Sequence, residues 1–271
     1  MPRRLFISGG WGFLGRAVVR AANDAGWMVF EPRHSELDIR DENAVRDALA
    51  FSRPDVIIHT AYRKDGPDAW ATNVDGSAAV ARAAVAGGAR LIHVSTDVIF
   101  SGRSTPYDEG ADPTPINAYG RSKAAAERAV TLIDPKAAIV RTSVLYDTDI
   151  MNPTTRVVLD AADGKVNYEF FEDEIRCFTA VVDLASALMD LCYHDYAGPL
   201  HVAGPEPMSR YDFAQRLASH YGKKPELLTH GYRGGEHKDR PGNLELDSSR
   251  AAGLLTTRVR PVSELMRPVP R

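Results

Sequence analysis

Leu5-Phe6-Ile7-Ser8-Gly9-Gly10-Trp11-Gly12-Phe13-Leu14-Gly15, running on into Arg16-Ala17-Val18-Val19-Arg20-Ala21-Ala22, is the stretch that decides the fold. Its first three residues are apolar without alternation, as expected of a strand buried on both faces of a parallel sheet. Gly9, Gly12 and Gly15 then recur at every third position, with Gly10 as an extra, and residues of helical composition follow. Glycines between a strand and a helix allow a tight turn, bring backbone amides close to a pyrophosphate and let helix pack on strand. The run Gly9, Gly10, Trp11, Gly12, Phe13, Leu14 and Gly15 is therefore the candidate pyrophosphate loop of a dinucleotide site. The spacing differs from the commoner G-x-G-x-x-G pattern, and by itself it also describes a surface turn.

Outward from that loop, Trp27 to Glu31 reads as the second strand. An acidic residue at its end suits adenosine ribose hydroxyls, whereas an arginine suits a 2′-phosphate. Glu31, Arg33 and His34 offer both, and Arg33 with His34 tilts the expectation towards NADP(H), with NAD(H) the alternative. Asp38, beside Ile39, is placed to meet the adenine edge, and Asp41 reads as a helix N-cap. Asp55 to Tyr62 is a third buried strand whose end, Thr60-Ala61-Tyr62, would pass close to a cofactor. His59 and the later His93 sit inside apolar strands and read as hydrogen-bonded core residues. Ala69 to Gly87 predicts one long alanine-rich helix. Strands alternating with helices in this way imply a doubly wound parallel sheet.

Leu91-Ile92-His93-Val94 is the next strand, ending in Ser95-Thr96-Asp97. Asn117 to Lys123 then opens a helix on which Tyr119 and Lys123, four apart, share one face. An ammonium beside a phenol favours the phenolate and makes the tyrosine a proton donor and acceptor. Thr96 at the strand end completes the set by holding a carbonyl oxygen. A tyrosine four residues before a lysine is also an ordinary surface pair, so the preceding strands carry much of the weight.

Taken together, Gly9-x-x-Gly12-x-x-Gly15, the strand ending Ser95-Thr96-Asp97 and Tyr119-x-x-x-Lys123 resemble the extended short-chain dehydrogenase/reductase superfamily. More narrowly, His93 to Gly102, Pro115 to Lys123 and Val140 to Tyr146 are similar to dTDP-4-dehydrorhamnose reductases and related sugar-nucleotide reductases. The resemblance implies that Tyr119 protonates a substrate ketone while a nicotinamide delivers hydride. It implies that Lys123 holds the nicotinamide ribose and that Thr96 hydrogen-bonds the ketone oxygen. Asp38 and Ile39 would face the adenine; Thr60, Ala61, Tyr62 and Ser95 would line the cofactor. Asp97, Val98 and Val144 would face the sugar, and Arg176, from a region that contacts substrate in the relatives, would meet a phosphate or carboxylate. An ion pair from Arg176 to Glu172 or Glu174 is the competing reading. Where rhamnose-pathway reductases carry aromatic residues, this chain has Val98 and Val144, so its sugar pocket is less aromatic.

The rest of the composition sets bounds. A chain of 271 residues with formal charge −3 presents no general basic field for nucleic acid. Cys177 and Cys192 form no metal spacing and no disulfide framework, which suits a reducing cytoplasm. No signal peptide or membrane-length apolar run appears. Residues 1–146 are expected to form the dinucleotide-binding domain, with a segment near 177–203 returning to its sheet. Residues 147–176 and 204–271 would form a small, mostly helical substrate-binding lobe, within which Ser209 caps a helix and Gly222 to Gly242 is a solvated loop. A possible homodimer is compatible with all of this. The competing functional class is a non-catalytic NADP-binding subunit, since the regulatory subunit of methionine adenosyltransferase resembles the same reductases. An epimerase of the superfamily is a third, with Asp97 as its extra acid or base.

Overall fold

The inner strands of the central sheet are largely apolar and buried, and helices cover both sides. The computed structural model describes residues 2–103, 106–234 and 238–266. Its main sheet has six strands: β1 (Arg4–Ser8), β2 (Met28–Phe30), β3 (Val56–His59), β4 (Arg90–Thr96), β5 (Ala138–Thr142) and β6 (Gly198–His201). They lie in the order β2-β1-β3-β4-β5-β6, and every neighbouring pair is parallel. From β1 the chain steps to β2 on one side and then returns to β3 on the other. The reversal opens a crevice at the carboxyl ends of β1 and β3, where open α/β sheets take their ligands.

Alternation along each strand assigns the two helical layers. Leu5 and Ile7 of β1, with Ile58, Ile92 and Val140, pack in one cluster with α1 (Phe13–Asp24), α6 (Val181–Leu191) and the short α8 (Ser249–Leu254). Phe6, Ile57, Leu91 and Ile139 face the other way, onto α2 (Glu42–Ser52), α3 (Gly76–Gly87) and α4 (Ala118–Ile133). Asp41 does cap α2, accepting from the amides of Asn43 and Ala44.

The single helix expected from Ala69 to Gly87 is divided. Ala71–Asp75 forms a wide π-type turn, and the regular α3 begins only at Gly76. Asn73 explains the break: its side chain accepts from the Arg63 amide and donates to the Arg63 carbonyl and to Ser122 Oγ, each at 2.8 Å. A wide turn of this kind often marks a functional region. Here it joins the chain beyond β3 to the helix carrying Tyr119 and Lys123.

A separate apolar cluster lies beyond β5. It joins Tyr146, Phe170, Phe178 and Met208 to α5 (Pro153–Ala162), α7 (Arg210–His220) and α9 (Val262–Leu265). Phe178 and Phe213 stack with ring centroids 3.8 Å apart. Ser209 caps α7 through the Asp212 amide. The segment expected to be solvated from Gly222 to Gly242 is more ordered than that, because Thr229–Gly231 pairs in parallel with Glu169–Phe171. Gly235, which falls in that segment, lies outside the described residues. No helix among the described residues is long and apolar enough to cross a membrane.

Candidate active site

The glycine loop closes on itself before it meets anything else. Gly12 donates to the Gly9 carbonyl at 2.9 Å, and Gly9 has φ +78°, a conformation glycine adopts without strain. A Cβ on Gly15 would stand 2.1 Å from the Gly9 carbonyl oxygen, so the start of α1 can press on the loop only with glycine there. At Gly12 a Cβ would meet nothing within 4 Å but that same carbonyl, and the outer edge of the loop is bare backbone. The first-turn amides of α1, on Phe13 and Leu14, lack intrahelical partners by construction. Leu14 is buried in the core and Phe13 packs against it, so these residues offer their amides and not their side chains.

One cavity opens from this loop. It is lined by Gly9, Trp11 and Gly12, by His34, Asp38, Ile39 and Arg40 beyond β2, and by Thr60, Ala61 and Tyr62 beyond β3. Gly10 packs so closely on Glu31 that a Cβ would come within 2.5 Å of its side chain. Arg33 lies over the Trp11 ring, with Cζ 3.9 Å from its centroid, and Trp11 Nε1 donates to the Glu31 carbonyl at 3.0 Å. Asp38 is gripped by Arg40 through contacts of 2.6–3.0 Å, and this hydrogen bonding holds its carboxyl down at about 2. Thr60 turns its hydroxyl back to the Ser8 carbonyl at 2.9 Å, leaving its backbone towards the cavity. These features fit a dinucleotide: bare amides for a pyrophosphate, an apolar slot at Ile39 and a guanidinium at the far rim.

Thr96, Tyr119 and Lys123 meet where β4 and α4 come together. Asn117 caps α4 by accepting from the Gly120 amide at 2.8 Å, and Tyr119 follows in the first turn. Gly120 lets this turn approach the chain after β4, since a Cβ there would lie 2.3 Å from the Val98 carbonyl oxygen. The Tyr119 ring lies 5.8 Å from that of Tyr62, which joins the catalytic end to the cavity wall. Burial, with Tyr62 and Asp97 nearby, pushes the Tyr119 pKa above the usual phenol value, and a hydrogen bond with Thr96 offsets part of the rise. The expected lowering by Lys123 does not operate here. The Lys123 ammonium is aimed at the Val94 carbonyl, 2.8 Å away, and burial lowers its own pKa to about 8.

His59 and His93 are buried, as expected, but they are not alike. His59 is held between Ser8 and Ser77, and Ser77 in turn donates to the Asn73 carbonyl at 2.6 Å. His93 places Nε2 3.5 Å from Lys123 Nζ and leaves Nδ1 without a partner among the described residues. The Ser95 hydroxyl is likewise buried and unpartnered.

The residues expected at the sugar separate in the structure. Val98 and Val144 are partly buried at the edges of two apolar clusters. Asp97 is 2% exposed, with its carboxylate turned to Ser143, Thr96 and Arg176. Arg176 is also 2% exposed, so the ion-pair reading describes its surroundings. It pairs with Glu174 at 2.9 Å and donates to the carbonyls of Gly242 and Pro241 at 2.7 and 3.0 Å. A guanidinium so enclosed is not presented to a ligand. Glu174 gathers Arg210 and Arg240 as well. Ser143 and Asn73, which bind the site together, carry no local sequence signal. Cys177 is buried, and burial pushes its thiol up to about 11, consistent with a packing residue.

This arrangement has counterparts among known proteins. The model of the RmlD substrate binding domain matches residues 3–267. The chain belongs to the RmlD substrate binding domain family. This RmlD-family chain is 34% identical over 242 residues to dTDP-4-dehydrorhamnose reductase of Mycolicibacterium smegmatis, covering 84% of this chain and 72% of that protein. It is 32% identical over 241 residues to methionine adenosyltransferase 2 subunit beta of Xenopus laevis, covering 80% and 71% of the two. The crystal structure of dTDP-4-dehydrorhamnose reductase from Bacillus anthracis in complex with NADP superposes with a TM-score of 0.87 at 28% identity. That match covers 97% of this chain and 96% of that one. The RmlD-family fold thus spans the glycine loop, the β4–α4 junction and the helical cluster beyond β5.

Proposed function

We propose that this chain is an NADP(H)-dependent reductase acting on the ketone of a keto-sugar nucleotide. The observation that carries the reading is the β4–α4 junction, where Thr96, Tyr119 and Lys123 stand together beside a glycine-loop cavity. The relatives named as dTDP-4-dehydrorhamnose reductases, one of them in complex with NADP, support it. Gly9 to Gly15 would hold the pyrophosphate, Ile39 the adenine, and Arg33 with His34 the 2′-phosphate; bound NADPH would supply the hydride. Tyr119, kept in its neutral form by burial, donates a proton to the ketone oxygen. Thr96 steadies the charge developing on that oxygen. Lys123, anchored to β4, would hold the nicotinamide ribose. The cluster built on α5, α7 and α9, with Val144 at its edge, would close over the sugar nucleotide, and Val98, from the neighbouring cluster, would face the sugar. The two buried free cysteines are consistent with a cytoplasmic enzyme.

A second reading is favoured by the similarity to methionine adenosyltransferase 2 subunit beta, nearly equal in identity: a dinucleotide-binding regulatory subunit. One experiment separates the two. The protein is titrated with NADPH and NADH, and NADPH consumption is then followed with a panel of keto-sugar nucleotides. Tight binding with turnover supports the reductase. Tight binding with no turnover across the panel overturns the keto-sugar-nucleotide reading and leaves a non-sugar substrate or the regulatory subunit.

A further inference from the structure

We propose that Asp97 is a positioning residue for the Thr96 hydroxyl, and that Ser143 and Arg176 hold its carboxylate so that this hydroxyl can turn to the substrate ketone. The inference rests on the reading of Thr96 as the ketone's hydrogen-bond partner. Its observations are independent of any ligand.

Asp97 is buried immediately behind Thr96, and each of its oxygens is engaged. Oδ1 accepts from the Thr96 hydroxyl at 3.1 Å, and Oδ2 accepts from the Ser143 hydroxyl at 2.5 Å. Thr96 Oγ1 is fixed from its other side as well, accepting from the Val98 amide at 3.2 Å and sharing a hydrogen bond with the Tyr119 phenol. A hydroxyl has one proton to give. In this arrangement the Thr96 proton lies on Asp97, whereas stabilising a ketone requires it on the substrate oxygen. The carboxylate therefore sets the threonine rotamer, and the same bond must yield when the ketone arrives.

Donor accounting shows what lets it yield. A guanidinium has five N–H groups. Both on Arg176 Nη1 are used, on the carbonyls of Ile175 and Gly242, and both on Nη2 are used, on Glu174 and the Pro241 carbonyl. The remaining one, on Nε, lies 4.0 Å from Asp97 Oδ2. Arg176 is thus locked by four bonds with its last donor facing the carboxylate. When the Thr96 proton swings to the ketone, Asp97 keeps Ser143 and the Arg176 charge and is not left bare in the interior. The Ser143 bond to the carboxylate is charge-assisted and the Arg176 charge stands 4.0 Å away, so the longer Thr96 bond is the one that can be released. The same accounting sets Asp97 apart from a substrate acid or base, since its oxygens are committed within the protein.

The test uses the full chain and a double-mutant cycle. Removing Ser143 leaves the carboxylate more dependent on Thr96, so Ser143→Ala should lower kcat about tenfold while NADPH affinity stays within twofold. In a Thr96→Ala background the same substitution should cost less than twofold, because there is no hydroxyl left to release. An equal loss in both backgrounds, or no loss in either, overturns the proposal. A second readout needs no turnover: the χ1 angle of Thr96, from methyl carbon couplings in threonine-labelled protein. It should be single in the parent and averaged over rotamers in Asp97→Ala, and an unchanged coupling overturns the proposal. An inactive parent protein would count against the reductase reading alone and leave this second test in place.

Discussion

Lys123 donates to the main-chain carbonyl of Val94 across 2.8 Å, fastening the ammonium of α4 to the strand that ends in Thr96. The bond ties the helix that carries Tyr119 to the strand that ends in Thr96, the two residues proposed to meet one carbonyl group. It also explains why a buried cation is tolerated. The ammonium has the Val94 oxygen, His93 Nε2 at 3.5 Å and, one turn along the helix, the Glu127 charge, which raises its pKa against burial. Glu127 is itself clamped by Arg141 at 2.9 Å, so the field under Lys123 is rigid.

Tyr119→Phe removes the proposed proton donor and nothing that holds the loop. Turnover should fall by at least a hundredfold, within the range general acid catalysis supplies, while NADPH affinity changes by no more than a few-fold. Steady-state rates and cofactor titration on the same preparation check this. A variant keeping most of its rate would assign the donor elsewhere.

Lys123 gives the fold a pH dependence of definite sign. Burial lowers its pKa from 10.5 to about 8 in the folded chain. Between those values the unfolded chain holds the extra proton, so stability rises with pH across that window and is lost as pH falls towards 8. From pH 8 to about 9.5 the parent should gain about 2 kcal/mol over Lys123→Met in urea unfolding. A constant difference between the two proteins would mean that Lys123 titrates normally.

Gly15→Ala should abolish tight cofactor binding, because its Cβ would fall 2.1 Å from the Gly9 carbonyl and 2.6 Å from Gly10 Cα, both backbone atoms that cannot step aside. Gly87→Ala is the control. A Cβ there meets nothing within 4 Å, and alanine favours the helix by up to about 1 kcal/mol. NADPH titration of both proteins decides the matter. Similar affinities would remove the glycine loop from the cofactor site.

The architecture could be read in the sequence because the strands buried on both faces are uninterrupted apolar runs, and because Asp41 and Ser209 announce helix starts by local chemistry. What escaped was decided at long range. Nothing near Asn73 shows that its amide will bridge Arg63 and Ser122, so the alanine-rich run from Ala69 reads as unbroken helix. Arg176 looked equally fit for a substrate anion or for Glu174. The carbonyls that enclose it come from Pro241 and Gly242, far along the chain. Ser143 matters through Asp97, a pairing that neither residue's neighbours reveal. The Tyr119–Lys123 spacing was legible, but the direction of the phenol's pKa was not, since burial raises it while the ammonium is turned to the Val94 carbonyl.

Choice between the two nicotinamide cofactors should rest on the stack of Arg33 on Trp11. Three arginines stand near the adenosine end of the cavity, and two are already neutralised. Arg40 pairs with Asp38 and Asp68, and Arg63 lies 3.9 Å from Asp68. Arg33 has no ion pair among the described residues, and its guanidinium lies over the indole with its N–H edge free for a phosphate. Arg33→Ala should therefore weaken NADPH binding roughly tenfold, the scale of one charge-assisted contact, and NADH binding less than twofold. Trp11→Ala removes the platform but not the charge, so its loss for NADPH should fall between the parent and Arg33→Ala. Titrations with both cofactors at fixed ionic strength test the ratio. Equal losses for NADPH and NADH in Arg33→Ala would show that this guanidinium reads no 2′-phosphate, and the preference would then have to come from His34.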